Sequence, residues 1–150
     1  MSLSLCHNTN DMKDYKVPLA QPLMAAEPTA EYMISYARTG IDMGFVATLM
    51  ERLALSLKEV AAILHVSLRT LQRYSPSTKL DTDASSKLIY LSKLELAGLR
   101  VFGSHDAFSK WLRTPVTALG GATPLSYLDT PFGFELVEQT LGKIEHGIFA

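Results

Sequence analysis

Hydrophobic residues recur with a helical period over most of the chain from about residue 29 onward. In the stretch "MGFVATLMERLAL", Phe45, Leu49 and Leu53 fall at positions i, i+4 and i+8. A segment from about residue 131 to 146 repeats apolar residues at spacings of three, four and three, at Phe134, Val137, Leu141 and Ile144. No segment alternates apolar and polar residues over the length of a strand. The pattern therefore predicts an all-α fold.

Small polar residues that favour helix N-termini stand before the periodic segments, and glycines follow several of them. The predicted N-terminal caps are Thr29, Asp42, Ser56, Ser67, Asp83, Ser104, Thr123 and Thr130. The predicted stops include Gly40, Gly103 and Gly147. Residues 1–28 contain three prolines and no helical or strand period, so they predict a mobile N-terminal arm.

The segment "SLKEVAAILHVSLRTLQRYSP" places two short helices around a very short break. In a helix-turn-helix the helices cross steeply, so a small residue must stand where they touch, and Ala61 fits that position. The predicted inward residues around it are Val60, Leu64, Val66, Leu71 and Tyr74. The segment therefore predicts a helix-turn-helix at about residues 56–75. The alternative is a degenerate helix pair that serves packing alone.

The second helix of this motif carries the side chains that could reach DNA. Arginine suits guanine or phosphate, and glutamine suits adenine. The predicted DNA-binding residues are Ser67, Leu68, Arg69, Gln72 and Arg73. His65 occupies the turn position where glycine is usual, so it must adopt a positive φ or the turn must open slightly.

Composition and charge place the chain among small folded proteins. With 150 residues and 47% hydrophobic content, it can form one domain, or two small helical ones that share a core. The net charge of -1 argues against coating nucleic acid by bulk electrostatics. Residues 56–100 nevertheless carry a local charge of +3, against -2 on each side. The basic excess coincides with the predicted helix-turn-helix.

Other chemistry receives little support from the sequence. The histidines at 7, 65, 105 and 146 share no metal-ligand spacing, and the lone Cys6 cannot form an internal disulfide. No apolar run is long enough to span a bilayer, and no secretory signal is predicted. "ALGGATP" lacks the lysine of a phosphate loop. We expect a cytoplasmic protein that is not an enzyme and has no cofactor or metal, with Trp111 in the core.

The helix-turn-helix segment "LSLKEVAAILHVSLRTLQR" is followed by "VFGSHDAFSKWLRTPVTALGGATPLSYLDTPFGFELVEQTLGKIEHGIFA". Together they resemble the Xre/MbcA/ParS-type antitoxins that are partnered with RES-domain toxins, over about residues 36–150. The resemblance implies an Xre-like helix-turn-helix lobe within 29–100 and a small C-terminal helical toxin-binding domain at 101–150. His65, Tyr74 and Ser86-Lys87 depart from the family's usual residues, and all of them lie in the DNA-binding half.

The resemblance also implies a function and partners. The chain would repress its own operon by binding operator DNA, and it would block a cognate RES-domain toxin that consumes NAD. Two half-sites are needed for firm operator binding, so a homodimer is expected. The alternative function is a stand-alone helix-turn-helix transcriptional regulator with a C-terminal dimerisation or ligand lobe. The identity of the neighbouring open reading frame would discriminate between the two.

A more specific hypothesis concerns how the toxin is blocked. An NAD-binding pocket is usually lined by arginines, which a carboxylate of the antitoxin could pair with while an apolar wedge fills the pocket. The predicted toxin-binding residues are Glu138, Glu145, Gly147, Ile148, Phe149 and Ala150. The alternative is that Phe149 folds back on the core of its own chain.

Overall fold

Residues 29–147 are described in the structure, a computed structural model, and they form seven α-helices and two short 3-10 turns. The helices are α1 (Ala30–Thr39), α2 (Met43–Leu53), α3 (Leu57–Leu64), α4 (Leu68–Arg73), α5 (Thr82–Phe102), α6 (His105–Leu112) and α7 (Pro131–Glu145). The 3-10 turns cover Thr117–Leu119 and Pro124–Tyr127. Over this range the extended pairing is limited to one antiparallel bridge, between Asp42 and Lys79. The predicted all-α class is confirmed.

Most of the helix N-termini begin at the predicted polar residues. The confirmed side-chain caps are Thr29, Asp42, Ser56, Ser67, Ser104 and Thr130. The prediction of Asp83 as a cap is wrong, because α5 begins two residues earlier and Asp81 Oδ1 accepts the backbone N–H of Ala84 at 2.8 Å. Asp83 instead lies in the first turn of α5, where a negative charge suits the helix dipole. Thr123 precedes only a 3-10 turn and makes no side-chain cap.

The long helix α5 forms the centre of the molecule, and α1, α6 and α7 pack against it. Buried apolar residues from the helix-turn-helix and from the last helix belong to one continuous core. Its fully buried large members include Phe45, Leu49, Leu53, Leu71, Leu88, Leu91, Phe108, Leu112 and Leu128. Because α5 packs against both halves, the helix-turn-helix and the C-terminal region are held in one packed body. The predicted boundary near residue 100 stays a prediction.

Close packing of α6 on α5 depends on Gly98 and Phe108. The Phe108 ring lies directly against the α5 backbone, and a Cβ at Gly98 would overlap that ring. Trp111 joins Phe108 and Phe102 in a three-ring cluster, with centroid separations of 5.5 to 6.3 Å. The sequence predicted that Trp111 lies in the core. In the structure the ring is half-buried and lies at the edge of the core.

Candidate functional site

The helix-turn-helix is built from α3, a short turn and α4. Ser56 Oγ accepts the backbone N–H of Glu59 at 3.1 Å, and the Glu59 carboxylate accepts the N–H of Ser56 at 2.8 Å. This reciprocal capping box fixes the start of α3. Ser67 Oγ accepts the N–H of Thr70 at 3.0 Å and begins α4 in the same way. Val60, Ala61, Leu64 and Leu71 are buried, and Val66 and Tyr74 are partly buried against the core.

His65 forms the turn of this motif in a left-handed conformation, with φ 54° and ψ 39°. The sequence allowed either a positive φ at His65 or a slightly opened turn, and the structure shows the positive φ. The imidazole Nε2 of His65 lies 2.6 Å from the carbonyl oxygen of Asp129, in the segment that leads into α7. The turn of the helix-turn-helix is thus in direct contact with the C-terminal region.

The outer surface of α4 is available to a ligand. All the predicted DNA-binding residues are exposed: Ser67, Leu68, Arg69, Gln72 and Arg73. Within residues 29–147, neither Arg69 nor Arg73 takes part in a salt bridge. Two unpaired guanidinium groups and one amide on a single short helix can bind phosphate oxygens and base edges.

Arg113, at the C-terminal end of α6, joins the C-terminal region to the helix-turn-helix. Its Nη2 donates to the Glu59 carboxylate at 2.8 Å and to the carbonyl of Ala54 at 2.7 Å. Its Nη1 donates to Ser109 Oγ at 3.0 Å. Ala54 ends α2 in a left-handed conformation, and Arg113 supplies a positive charge at that carbonyl-rich end. One guanidinium therefore connects α2, α3 and α6.

A buried ionic cluster joins α2, α5 and the first residue of α6. The Glu95 side chain in α5 is 1% exposed, and its Oε1 lies 2.9 Å from both Arg52 Nε and His105 Nε2. Two nitrogen-bearing side chains therefore approach one carboxylate oxygen of Glu95. Burial raises the pKa of Glu95 above its usual value, and the charges of Arg52 and His105 oppose that increase. The sequence analysis did not identify this cluster. A glutamate among the apolar residues on the buried face of α5 could have indicated it.

The last helix presents different chemistry on its different faces. Phe134, Val137 and Leu141 are buried, and Ile144 is half-buried. Of the predicted toxin-binding residues, Glu138, Glu145 and Gly147 are exposed. Glu145 Oε1 lies 3.6 Å from Arg100 Nε, a surface ion pair of small energetic weight. Ile148, Phe149 and Ala150 lie outside the described residues.

An exposed apolar pair on this helix was not identified from the sequence. Phe132 is 82% exposed and Leu136 is 38% exposed, one helical turn apart. The signal was present in "TPFGFELV", since Phe134 faces inward and Phe132, two residues earlier, must face another way.

Neither a metal-binding cluster nor a membrane-spanning helix occurs among the described residues. No group of three or more histidine, cysteine, aspartate or glutamate side chains between residues 29 and 147 could hold a metal ion. No described helix combines the length and the apolar character needed to cross a bilayer.

The architecture is that of a helix-turn-helix protein with an attached C-terminal helical domain, and family comparisons agree. Residues 33–93 match the antitoxin Xre-like helix-turn-helix domain. Residues 97–147 match the antitoxin Xre/MbcA/ParS C-terminal toxin-binding domain. Together the two family models match about three quarters of the chain. The chain belongs to the Xre/MbcA/ParS antitoxin family, with both of its characteristic domains.

Individual relatives agree with this assignment. The chain is 28% identical over 145 residues to a Sphingobium protein named Prs ADP-ribosylating antitoxin, covering 82% of this chain and 90% of the relative. It is 33% identical over 78 residues to Antitoxin Xre of Photorhabdus laumondii, covering 51% of this chain and 53% of the relative. The fold is similar to a chain in the crystal structure of the Mycobacterium tuberculosis MbcT-MbcA toxin-antitoxin complex. That match has a TM-score of 0.54 and 22% identity, and it covers 71% of this chain and 95% of the other.

Proposed function

We propose that this chain neutralises a RES-domain toxin that consumes NAD, and that it represses its own operon through α4. The proposal rests on one observation. A basic helix-turn-helix and a toxin-binding domain share one core, and Arg113 connects the two. The Sphingobium relative is named for ADP-ribosylation, a reaction in which NAD is the usual donor. The catalytic chemistry belongs to the toxin, and the antitoxin acts in the cytoplasm, where the operator and the toxin are both present.

Operator binding is assigned to the exposed surface of α4. Arg69, Gln72 and Arg73 face solvent on one side of the helix, whereas Leu71 anchors the opposite side in the core. The arginines reach phosphates or guanine edges, and the glutamine reads adenine. Each subunit carries few such groups, so stable binding requires two copies on two half-sites.

A homodimer can use the groove between α1 and α5. This groove has a volume of about 300 Å³, and Met33, Ile34, Ile89 and Tyr90 are among the residues that line it. Ile34 and Tyr90 are 50% and 47% exposed, which is high for large apolar side chains. A second copy of the chain would cover them and bring two α4 helices into one complex.

Blocking of the toxin is assigned to the C-terminal region. Glu138, Glu145 and the segment from Gly147 to Ala150 provide carboxylates and an apolar wedge for an NAD pocket lined by cations. Deletion of residues 148–150 tests the role of the wedge: we expect the shortened chain to bind the toxin yet fail to stop NAD consumption. Inhibition as tight as that of the full chain would remove the segment from the mechanism.

The proposal as a whole is tested by co-expression with the protein encoded in the adjacent reading frame. We expect that frame to encode a RES-domain protein whose toxicity disappears when this chain is present, and we expect the complex to retard a promoter fragment of the operon in a gel. An adjacent frame without a RES domain, together with promoter binding by the chain alone, would instead favour a stand-alone regulator.

A further inference from the structure

The most exposed large apolar side chain in the described part of the molecule is Phe132, at 82%. It lies in the first turn of α7, inside the region that matches the toxin-binding domain. Leu136, also exposed, follows four residues later and therefore lies on the same face of the helix. Gln139 and Lys143 continue this line of exposed residues toward the end of α7.

This face differs from the one that carries Glu138 and Glu145. At about 100° per residue, those two glutamates lie roughly 120° to 140° around the helix axis from Phe132. Glu145 also pairs with Arg100 of α5. The apolar pair is thus a separate surface of the C-terminal region.

The backbone that carries Phe132 is held in place by its surroundings. Thr130 Oγ1 accepts the N–H of Gly133 at 3.1 Å, and Pro131 occupies the first helical position. Gly133 packs against the carbonyl of Tyr127 so closely that a Cβ would overlap it, and the Tyr127 hydroxyl donates to the carbonyl of Leu119 at 3.1 Å. A backbone that is already fixed loses little conformational entropy on binding, which favours its use as an interface anchor.

We propose that Phe132 and Leu136 form the anchor by which the toxin docks, and this rests on the proposed function. The occupant is the toxin, because the pair lies within the toxin-binding domain that the family comparison matches. Two exposed carboxylates, Asp129 and Glu135, lie within three residues of Phe132. The complementary surface on the toxin is therefore an apolar pocket with a basic rim.

The test measures toxin affinity for Phe132→Ala and Leu136→Ala by calorimetry, with the full chain and the toxin from the adjacent frame. Lys110→Ala, at an exposed position of α6 within the same matched domain, is the control. We expect a loss of about 30-fold or more for Phe132→Ala and a smaller loss for Leu136→Ala. Because Phe132 is exposed, the Phe132→Ala variant should have the same melting temperature as the wild type. An unchanged melting temperature separates a loss of binding from misfolding.

Several outcomes would overturn the inference. A loss of less than about ten-fold for Phe132→Ala, or an equal loss for Lys110→Ala, would place the docking surface elsewhere. A change from dimer to monomer in Phe132→Ala without toxin would assign the pair to self-association. In these cases wild-type binding remains and the proposed function stands, whereas failure of the wild-type chain to bind the toxin would refute the proposed function itself.

Discussion

The imidazole of His65, at the turn of the helix-turn-helix, contacts the backbone carbonyl of Asp129 at the entrance to α7, with 2.6 Å between Nε2 and the oxygen. The left-handed backbone at His65 carries a strain that glycine would not have, of about 1 to 2 kcal/mol. The family's usual glycine would relieve this strain but could not reach Asp129. With histidine at this position the turn is strained, but the helix-turn-helix contacts the C-terminal region. With glycine the turn would be relaxed and the contact would be absent.

This exchange predicts different effects for two substitutions at residue 65. His65→Ala loses the contact and keeps the strain, whereas His65→Gly loses the contact and relieves the strain. We expect His65→Ala to be less stable than His65→Gly by about 1 kcal/mol in denaturant unfolding. Equal stabilities, or a more stable alanine variant, would show that the left-handed turn stores no strain.

The contacts of Arg113 predict that the C-terminal region stabilises the helix-turn-helix. Arg113→Ala removes charged hydrogen bonds to Glu59 and Ala54, and we expect the free energy of unfolding to fall by about 2 kcal/mol. Lys110→Ala is the control, because its pairing with Asp106 is largely exposed and should contribute less than about 0.5 kcal/mol. A similar small effect for both variants would mean that Arg113 does not join the regions energetically.

Glu95 predicts a dependence of stability on pH. Its pKa is raised in the folded chain from an ordinary value of 4.5, so the native state holds this proton more tightly than the unfolded state. Ionisation of Glu95 therefore lowers stability progressively as the pH rises from about 4.5 through the raised pKa. Below that range both states are protonated, and the loss is absent.

The neutral variant Glu95→Gln should escape this loss. We expect it to melt above the wild type near pH 8, and the difference should shrink as the pH falls toward about 4.5. Glu138→Gln, at an exposed position, should show no such trend. If Glu95→Gln melts below the wild type at high pH, then the attraction of Arg52 and His105 outweighs the burial of the carboxylate.

Much of this fold can be predicted from local sequence signals. Caps such as Thr29, Asp42 and Ser56 act within four residues. The helical period at Phe45, Leu49 and Leu53 reflects only which side of α2 faces the core. The same local rules failed at Asp83, because Asp81, two residues earlier, is an equally suitable cap and is the one that the structure uses.

The contacts between distant segments could not be predicted in this way. Arg113 and Glu59 are separated by 54 residues, and His65 and Asp129 by 64, so no spacing along the chain relates them. Glu95 has no local partner and gives a signal only as a charge on an apolar face. The exposure of Phe132 is different, because the inward-facing Phe134 two residues later already indicates that Phe132 points away from the core.

The exposed arginines of α4 predict a specific loss of operator affinity. Arg69→Ala and Arg73→Ala should each weaken binding of the promoter fragment by about 1 to 3 kcal/mol while toxin neutralisation persists. Wild-type binding by a dimer should fall on the order of a thousandfold between about 50 and 200 mM salt. Lys143→Ala on α7 is the control, and equal operator affinity for the double arginine variant and the wild type would exclude α4 as the reading helix.

We propose above that this chain stops the activity of a toxin by binding it. The most direct measurement is NAD consumption by the proposed RES-domain toxin, titrated with this chain. We predict that NAD consumption falls to the background rate at a defined molar ratio, with a sharp end point. Unchanged NAD consumption at a large excess of the chain would contradict the claim.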